Sequence, residues 1–203
     1  ATAAAFSGSS ALTLTQVVFK SLTGRDTIQV GVRATITSAG GGPDTVEVAG
    51  PVTLDMNPTD GDQVQKTQGG IKPGKSVTVQ LFVKAAPTVN GYTVRIEYDP
   101  IAVKPGSFVA GTFVPGLVAL TNSATPGFVE VGGSSLNGTT DSGDGYLGSL
   151  TFQALDGFSK QTYLAATQVT LWQTVGGQKI VQQRILGKLT DSLPGDFNSD
   201  GVV

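Results

Sequence analysis

The chain has 203 residues, a formal net charge of −2 and charged residues at only 14% of its length. Its weak negative charge leaves no basic surface for nucleic acid or an anionic membrane. No apolar run approaches the roughly 18 residues that a membrane span needs. The sequence contains neither cysteine nor histidine, which excludes disulfides, Cys and His zinc sites and every catalytic triad that needs an imidazole.

Residues 1–50 are predicted to form an N-terminal β extension. Strands are expected over residues 12–20, 27–37 and 45–48, with a glycine-rich turn at residues 40–43. The Gly50-Pro51 step interrupts this pattern, so we expect a domain boundary there. The chain opens on small residues without a Met, as a product of signal peptidase does, which favours an extracellular or cell-surface location over a processed fragment.

The first ten residues are small, apolar and uncharged, and a segment of this kind frays unless something holds it. Addition to an open sheet edge, in its own sheet or in a neighbouring subunit, would supply the missing hydrogen bonds. We therefore expect a docking strand, whose anchors would be Phe6, Leu12, Leu14 and Val18.

Residues 51–190 predict one all-β body, because its apolar segments are short and bounded by Gly, Pro, Asn or Asp. A short turn or helix is the expectation for residues 156–166. Strands are expected over residues 52–56, 76–84, 92–98, 117–120, 128–131, 147–154, 169–172 and 179–189.

The segment GYTVRIEYDP, residues 91–100, is the clearest strand of the chain because apolar and polar residues alternate strictly. Asp99-Pro100 ends it, since Asp initiates turns and Pro cannot stay in a ladder. We expect Tyr92, Val94, Ile96 and Tyr98 to face the core, and Thr93, Arg95 and Glu97 to face outward.

This segment resembles the central strand of a cohesin domain, which begins with Gly and an aromatic residue and ends in Tyr-Asp-Pro. The resemblance continues through YLGSLTF at residues 146–152 and the strand at residues 169–172, and covers roughly residues 52–189. It implies a secreted, nine-stranded jelly-roll β-sandwich that binds dockerins. The predicted fold is therefore an all-β jelly-roll sandwich with an additional N-terminal β segment.

Residues 191–203 end in GDFNSDGVV, which is similar to the opening of a dockerin calcium loop. Asp196, Asn198 and Asp200 occupy positions one, three and five, and Gly201 permits the sharp bend at position six. The chain stops before the carboxylate that position twelve requires. The expectation is a weak Ca²⁺ site at best, or a linker to a dockerin.

A second oxygen cluster comprises Asp55, Asn57, Asp60 and Asp62. It could hold a cation, but acidic turns at strand ends are common, and we expect turn hydrogen bonds.

Catalysis without His or Cys would need converging carboxylates. Glu97 and Glu130 instead alternate with apolar residues on strands, so both are expected on sheet surfaces and the chain is expected to be non-catalytic. Trp172 and the tyrosines could bind a polysaccharide, although alternation places several of them in the core.

The first functional expectation is a structural subunit of an extracellular filament or layer, joined to other copies of itself by strand addition, because such contacts need not close. A scaffold receptor for a dockerin-bearing protein is the second. A carbohydrate-binding module is the third.

Overall fold

The computed structural model describes residues 46–173 and 177–193 in full, and the strand backbone of residues 9–21 and 24–37. The chain divides into two compact units, residues 1–41 and 42–203. In the first unit, β1 (Ser9–Ser21) and β2 (Gly24–Thr37) pair antiparallel as a separate two-stranded sheet. The strands predicted at residues 12–20 and 27–37 are thus confirmed.

The second unit is a nine-stranded network in which the described residues contain no helix. Its strands are β3 (Val52–Asp55), β4 (Thr67–Gln68), β5 (Ser76–Glu97), β6 (Val103–Ala110), β7 (Leu117–Asn122), β8 (Phe128–Ser135), β9 (Asp141–Ala154), β10 (Gln161–Gln173) and β11 (Gly177–Thr190). A turn at residues 156–157 leads into β10, so the helix alternative for residues 156–166 is wrong.

The two layers of the sandwich share one strand, β5. Its residues 76–83 pair with β3 and β9, whereas residues 91–97 pair with β10 and β8. The first layer therefore runs β3-β5-β9-β6, and the second runs β11-β10-β5-β8-β7 with β4 beside β11. Register shifts on either side of Ala86, together with Ala85 at φ 48°, bend β5 between the layers.

Side chains from both layers meet in one core. The predicted inward face of β5 and the residue after it is confirmed, because Tyr92, Val94, Ile96 and Tyr98 are at most 7% exposed. Tyr98 packs edge-on against Phe152 of β9, with the ring centroids 5.7 Å apart. The Tyr92 hydroxyl donates a hydrogen bond to the Leu147 carbonyl oxygen, also on β9. These contacts join the layers face to face.

A buried amide closes the sandwich between β3 and β11. Gln183 Oε1 accepts a hydrogen bond from the Val52 N–H at 3.0 Å, and Gln183 Nε2 donates to the Val52 carbonyl oxygen at 3.1 Å. Next to this pair, Val48 and Arg184 exchange two backbone hydrogen bonds of 2.9 and 2.8 Å. These bonds join Val48 to β11. The domain boundary expected at Gly50-Pro51 stays a prediction.

Candidate partner-binding face

The solvent side of the second layer is set by the same alternation that builds the core. Because Tyr92, Val94 and Ile96 point inward, the intervening β5 residues point outward, and the register aligns the neighbouring strands with them. We call this surface the outer face. It carries Trp172 of β10, Thr93, Arg95 and Glu97 of β5, Phe128, Glu130 and Gly132 of β8, and Val118 and Leu120 of β7.

One half of the outer face is apolar. Leu120 is 66% exposed and Val118 is 47% exposed, although both lie in a regular strand. A trough of about 360 Å³ runs beside Leu120 and is bounded by Thr93, Gly132 and Trp172. Large exposed apolar side chains that lie together mark interaction surfaces.

Glycine allows the residues beneath this trough to approach one another closely. A side chain at Gly132 would collide with the Tyr92 carbonyl oxygen, and its φ of 145° is also unfavourable for other residues. A Cβ at Gly91 would lie 2.5 Å from the Trp172 ring. The trough therefore depends on glycine at these positions.

The other half of the outer face is charged and internally paired. Arg95 Nη1 lies 3.7 Å from Glu130 Oε1, and the Arg95 guanidinium lies 3.7 Å above the Phe128 ring centroid. Arg184 Nη1 lies 3.6 Å from Glu97 Oε2. Each glutamate therefore has its own arginine on a sheet surface, as predicted for Glu97 and Glu130.

The oxygen cluster after β3 is used in turns. Asp55 is fully buried, and its two carboxylate oxygens accept hydrogen bonds from the N–H groups of Asn57 and Gln63. Asp62 Oδ1 accepts one from the Val64 N–H at 3.0 Å. Within residues 46–173 and 177–193, no group of three or more His, Cys, Asp or Glu residues could hold a metal ion. The turn assignment is confirmed.

The aromatic residues do not form one platform. Tyr92 and Tyr98 are core residues, Tyr146 pairs with Phe82 on the first layer, and Trp172 lies on the outer face. No described helix is long and apolar enough to cross a membrane.

The remaining predicted site residues stay predictions. Leu12, Leu14 and Val18 lie within β1. Phe6 lies outside the described residues, as do Asp196, Asn198 and Asp200.

The cohesin domain model matches residues 63–188. The chain belongs to the cohesin family. No curated protein matches the sequence. A cohesin domain is a non-catalytic module of protein–protein interaction, so the relevant site is a surface that binds a partner.

Solved structures support the same fold. A cohesin module from a Clostridium perfringens family 33 glycoside hydrolase is 16% identical, with 70% of this chain and 98% of that chain covered and a TM-score of 0.52. The sixth cohesin of Acetivibrio cellulolyticus scaffoldin B, in complex with the Cel5 dockerin, is 18% identical, with 69% and 96% covered and a TM-score of 0.51. The predicted jelly-roll sandwich is confirmed.

The spacing of two apolar residues in β7 is a sequence signal for the outer face. In LVALTN, residues 117–122, the apolar Val118 and Leu120 are two positions apart and so share one side of a strand. Which side faces solvent depends on pairing with Gly132 and Ser134, and that information is not local.

Proposed function

We propose that this cohesin-family chain is a non-catalytic assembly module whose outer face binds a dockerin-bearing protein. The observation that carries the proposal is the pairing of an exposed apolar half with a charged half on one sheet surface. Protein interfaces commonly combine an apolar centre with a polar rim. The complex of the Acetivibrio cellulolyticus cohesin with a dockerin supports this class of partner.

Leu120 is the residue expected to contribute most to such a contact, because it is the most exposed apolar side chain on the outer face. Fully burying a leucine side chain is worth about 1.5–3 kcal/mol. Thr93 and Gly132 beside it leave room for a side chain of the partner.

A matched pair of variants tests the outer face. Leu120→Asp places a charge in the trough, and Val109→Asp places one on β6 at a side chain that is 63% exposed. A panel of dockerin domains would be titrated against each variant by calorimetry, with thermal melts as the folding control. We expect Leu120→Asp to weaken binding by at least about tenfold and Val109→Asp to leave it unchanged. Absence of dockerin binding, or equal effects of both variants, would contradict the proposal.

The same proposal assigns the chain to the extracellular space or the cell surface. Its support is the family to which the chain belongs. Fractionation of the native source with antibodies tests it, and an exclusively internal signal would contradict it.

A second candidate function, self-association into a filament or layer, has its own support in β7. Among the described residues β7 pairs only with β8, and its sequence LVALTN has neither charge nor proline. By contrast, β6 carries Lys104, Pro105 and a register shift, which are features that discourage strand addition. An open, uncharged edge can accept a strand from another chain.

The occupant in this candidate is the docking strand of a second copy, anchored by Phe6, Leu12, Leu14 and Val18. Deleting residues 1–10 should leave the sandwich folded and reduce self-association, as measured by sedimentation and electron microscopy. If the truncated chain polymerises as well as the parent, strand addition by this segment is wrong.

A further inference from the structure

A second pocket lies on the solvent side of the first layer, away from the outer face. It has a volume of about 240 Å³ and is lined by Asp60, Gly61, Gln80, Phe82 and Tyr146. Gln80 and Phe82 lie on β5, and Tyr146 pairs with Phe82 across to β9. Residues 57–65 bring Asp60 and Gly61 to the same place, and we call this segment the covering loop.

The covering loop is held in one conformation by the buried carboxylate of Asp55. That carboxylate accepts hydrogen bonds from the N–H groups of Asn57 and Gln63, one near each end of the loop. The Met56 N–H also donates to the Gln65 carbonyl oxygen at 2.8 Å. A loop fixed in this way preorganises the groups that it presents, which reduces the entropic cost of binding.

The floor of the pocket contains an acceptor that lacks a partner. Gln80 is 6% exposed, and its Nε2 donates to the Pro58 carbonyl oxygen at 3.3 Å. Its Oε1 has no hydrogen-bond partner in the described part of the chain. Leaving a buried acceptor unsatisfied is unfavourable, so a donor that entered the pocket would be favoured to bond to it. Because less than 1 Å² of Oε1 is exposed, the Gln80 amide must turn toward the pocket to make this bond.

Two aromatic rings form the apolar wall. The Phe82 and Tyr146 centroids are 5.1 Å apart, and the ring planes are inclined by 42°. Aromatic faces attract cations and also pack well against methylene groups. A group with an aliphatic stem and a charged end suits both properties.

The charge around the pocket is negative. Asp60 lines it, and Lys84 Nζ lies between Asp62 at 3.5 Å and Asp144 at 3.7 Å. Three carboxylates and one ammonium leave a local formal charge of −2. Because Lys84 is shared by two carboxylates, the Asp60 carboxylate is the group left to attract a ligand.

We propose that this pocket binds a cationic alkyl group, an ammonium or guanidinium on an aliphatic stem, such as a lysine or arginine side chain. The stem packs against Phe82 and Tyr146, the charge lies near Asp60, and the Gln80 amide turns toward the pocket so that its Oε1 accepts a hydrogen bond from an N–H of the cation. The side chains supply mainly acceptors, which favours a cation over a neutral saccharide that would need both donors and acceptors. This site is independent of the outer face and of the proposed dockerin partner.

Backbone NMR of the isotope-labelled chain tests the pocket. The probe is Nα-acetyl-lysine methylamide, and its uncharged analogue Nα-acetyl-norleucine methylamide has the same stem without the charge. We expect saturable shifts at Asp60, Gly61 and Tyr146 with a dissociation constant of about 1–10 mM, since one small contact supplies few kcal/mol. The norleucine analogue should bind at least about fivefold more weakly.

Variants identify the groups responsible. Asp60→Asn should weaken the lysine probe by about three- to tenfold, while the control Asp156→Asn, at another exposed turn, should not. Phe82→Leu, which keeps an apolar side chain and removes the ring, should weaken it as well, with thermal melts as the folding control.

Four results would overturn the proposal. The first two are the absence of amide shift changes with the lysine probe, and shift changes of equal size with the norleucine analogue. The other two are saturable binding of glucose where the lysine probe does not bind, and tight binding of CaCl₂ at the same amides. The last two would identify a saccharide or a metal site instead.

Discussion

Replacing Gln183 by leucine tests how the sandwich is closed. The change keeps a side chain of similar size and removes both hydrogen bonds to Val52, together with a longer one of 3.4 Å to the Ala166 carbonyl oxygen. Gln183 is 4% exposed and Val52 is fully buried, so water cannot easily replace the lost partner. The Val52 N–H and C=O would then be buried and unsatisfied.

Each unsatisfied buried group costs about 1–3 kcal/mol. Two such groups at Val52 give an expected loss of about 2–5 kcal/mol in the free energy of unfolding, after allowance for relaxation. That is a large fraction of the stability of an ordinary domain. The loss should appear as a lower urea midpoint with an unchanged slope.

The neighbouring Gln182 provides the matched control. Its side chain is exposed and makes one hydrogen bond, from Nε2 to Gln168 Oε1 at 3.1 Å. Gln182→Leu should change stability by less than about 0.5 kcal/mol. If the two variants unfold at the same urea concentration, the buried amide does not hold β3 to β11 and the reasoning fails.

Three further predictions follow from other parts of the molecule. Ile96→Ala should lower the free energy of unfolding by about 2–5 kcal/mol through lost burial and a cavity. Arg95→Ala should cost less than about 1 kcal/mol, because the side chains of its ion pair are 34% and 28% exposed and therefore in contact with solvent. Equal urea midpoints for the two variants would refute the face assignment. Burial raises the pKa of Tyr92 above its ordinary value. The contribution of this group to stability should therefore be complete below about pH 10, where the tyrosine of the unfolded chain is still protonated, and should fall as the pH rises further. In pH-dependent unfolding, Tyr92→Phe should flatten that alkaline decline. In a polypeptide that ends at Val203, chelation should leave the melting temperature nearly unchanged, because Asp196, Asn198 and Asp200 supply fewer oxygens than the six to eight that Ca²⁺ takes. A submicromolar calorimetric affinity for Ca²⁺, lost in Asp196→Ala, would contradict this.

The strand faces could be predicted from the sequence because alternation is local. Residues 92–98 alternate without interruption, and their core face follows directly. The union of residues 76–84 and 92–98 into one strand could not be predicted in this way. Alternation breaks at Lys84 and Ala85, which suggests a turn, whereas the structure continues through a bend supported by β9. The pairing of β5 with β9, which is distant in the sequence, therefore determines that the two segments form one strand.

A buried contact and a pocket depended on similar long-range information. Gln183 lies two positions before the inward-facing Ile185, so alternation places it on the core side, but its partner Val52 is 131 residues away. The pocket at Gln80 forms only because the covering loop folds back over β5. A sequence pattern identifies which side of a strand a residue faces, and the topology determines which residues it contacts there.

The shared strand explains how one small body can present two separate surfaces. Residues 91–97 of β5 form the floor of the outer face, and Gln80 and Phe82 of the same strand line the Gln80 pocket. The two stretches point their alternate side chains into one core, so neither can shift without disturbing packing that extends across both layers. Rigid floors favour binding without rearrangement. Substitutions on the exposed sides, at Leu120 or Asp60, should therefore change each surface separately, whereas a change at Ile96 should weaken both through the loss of stability.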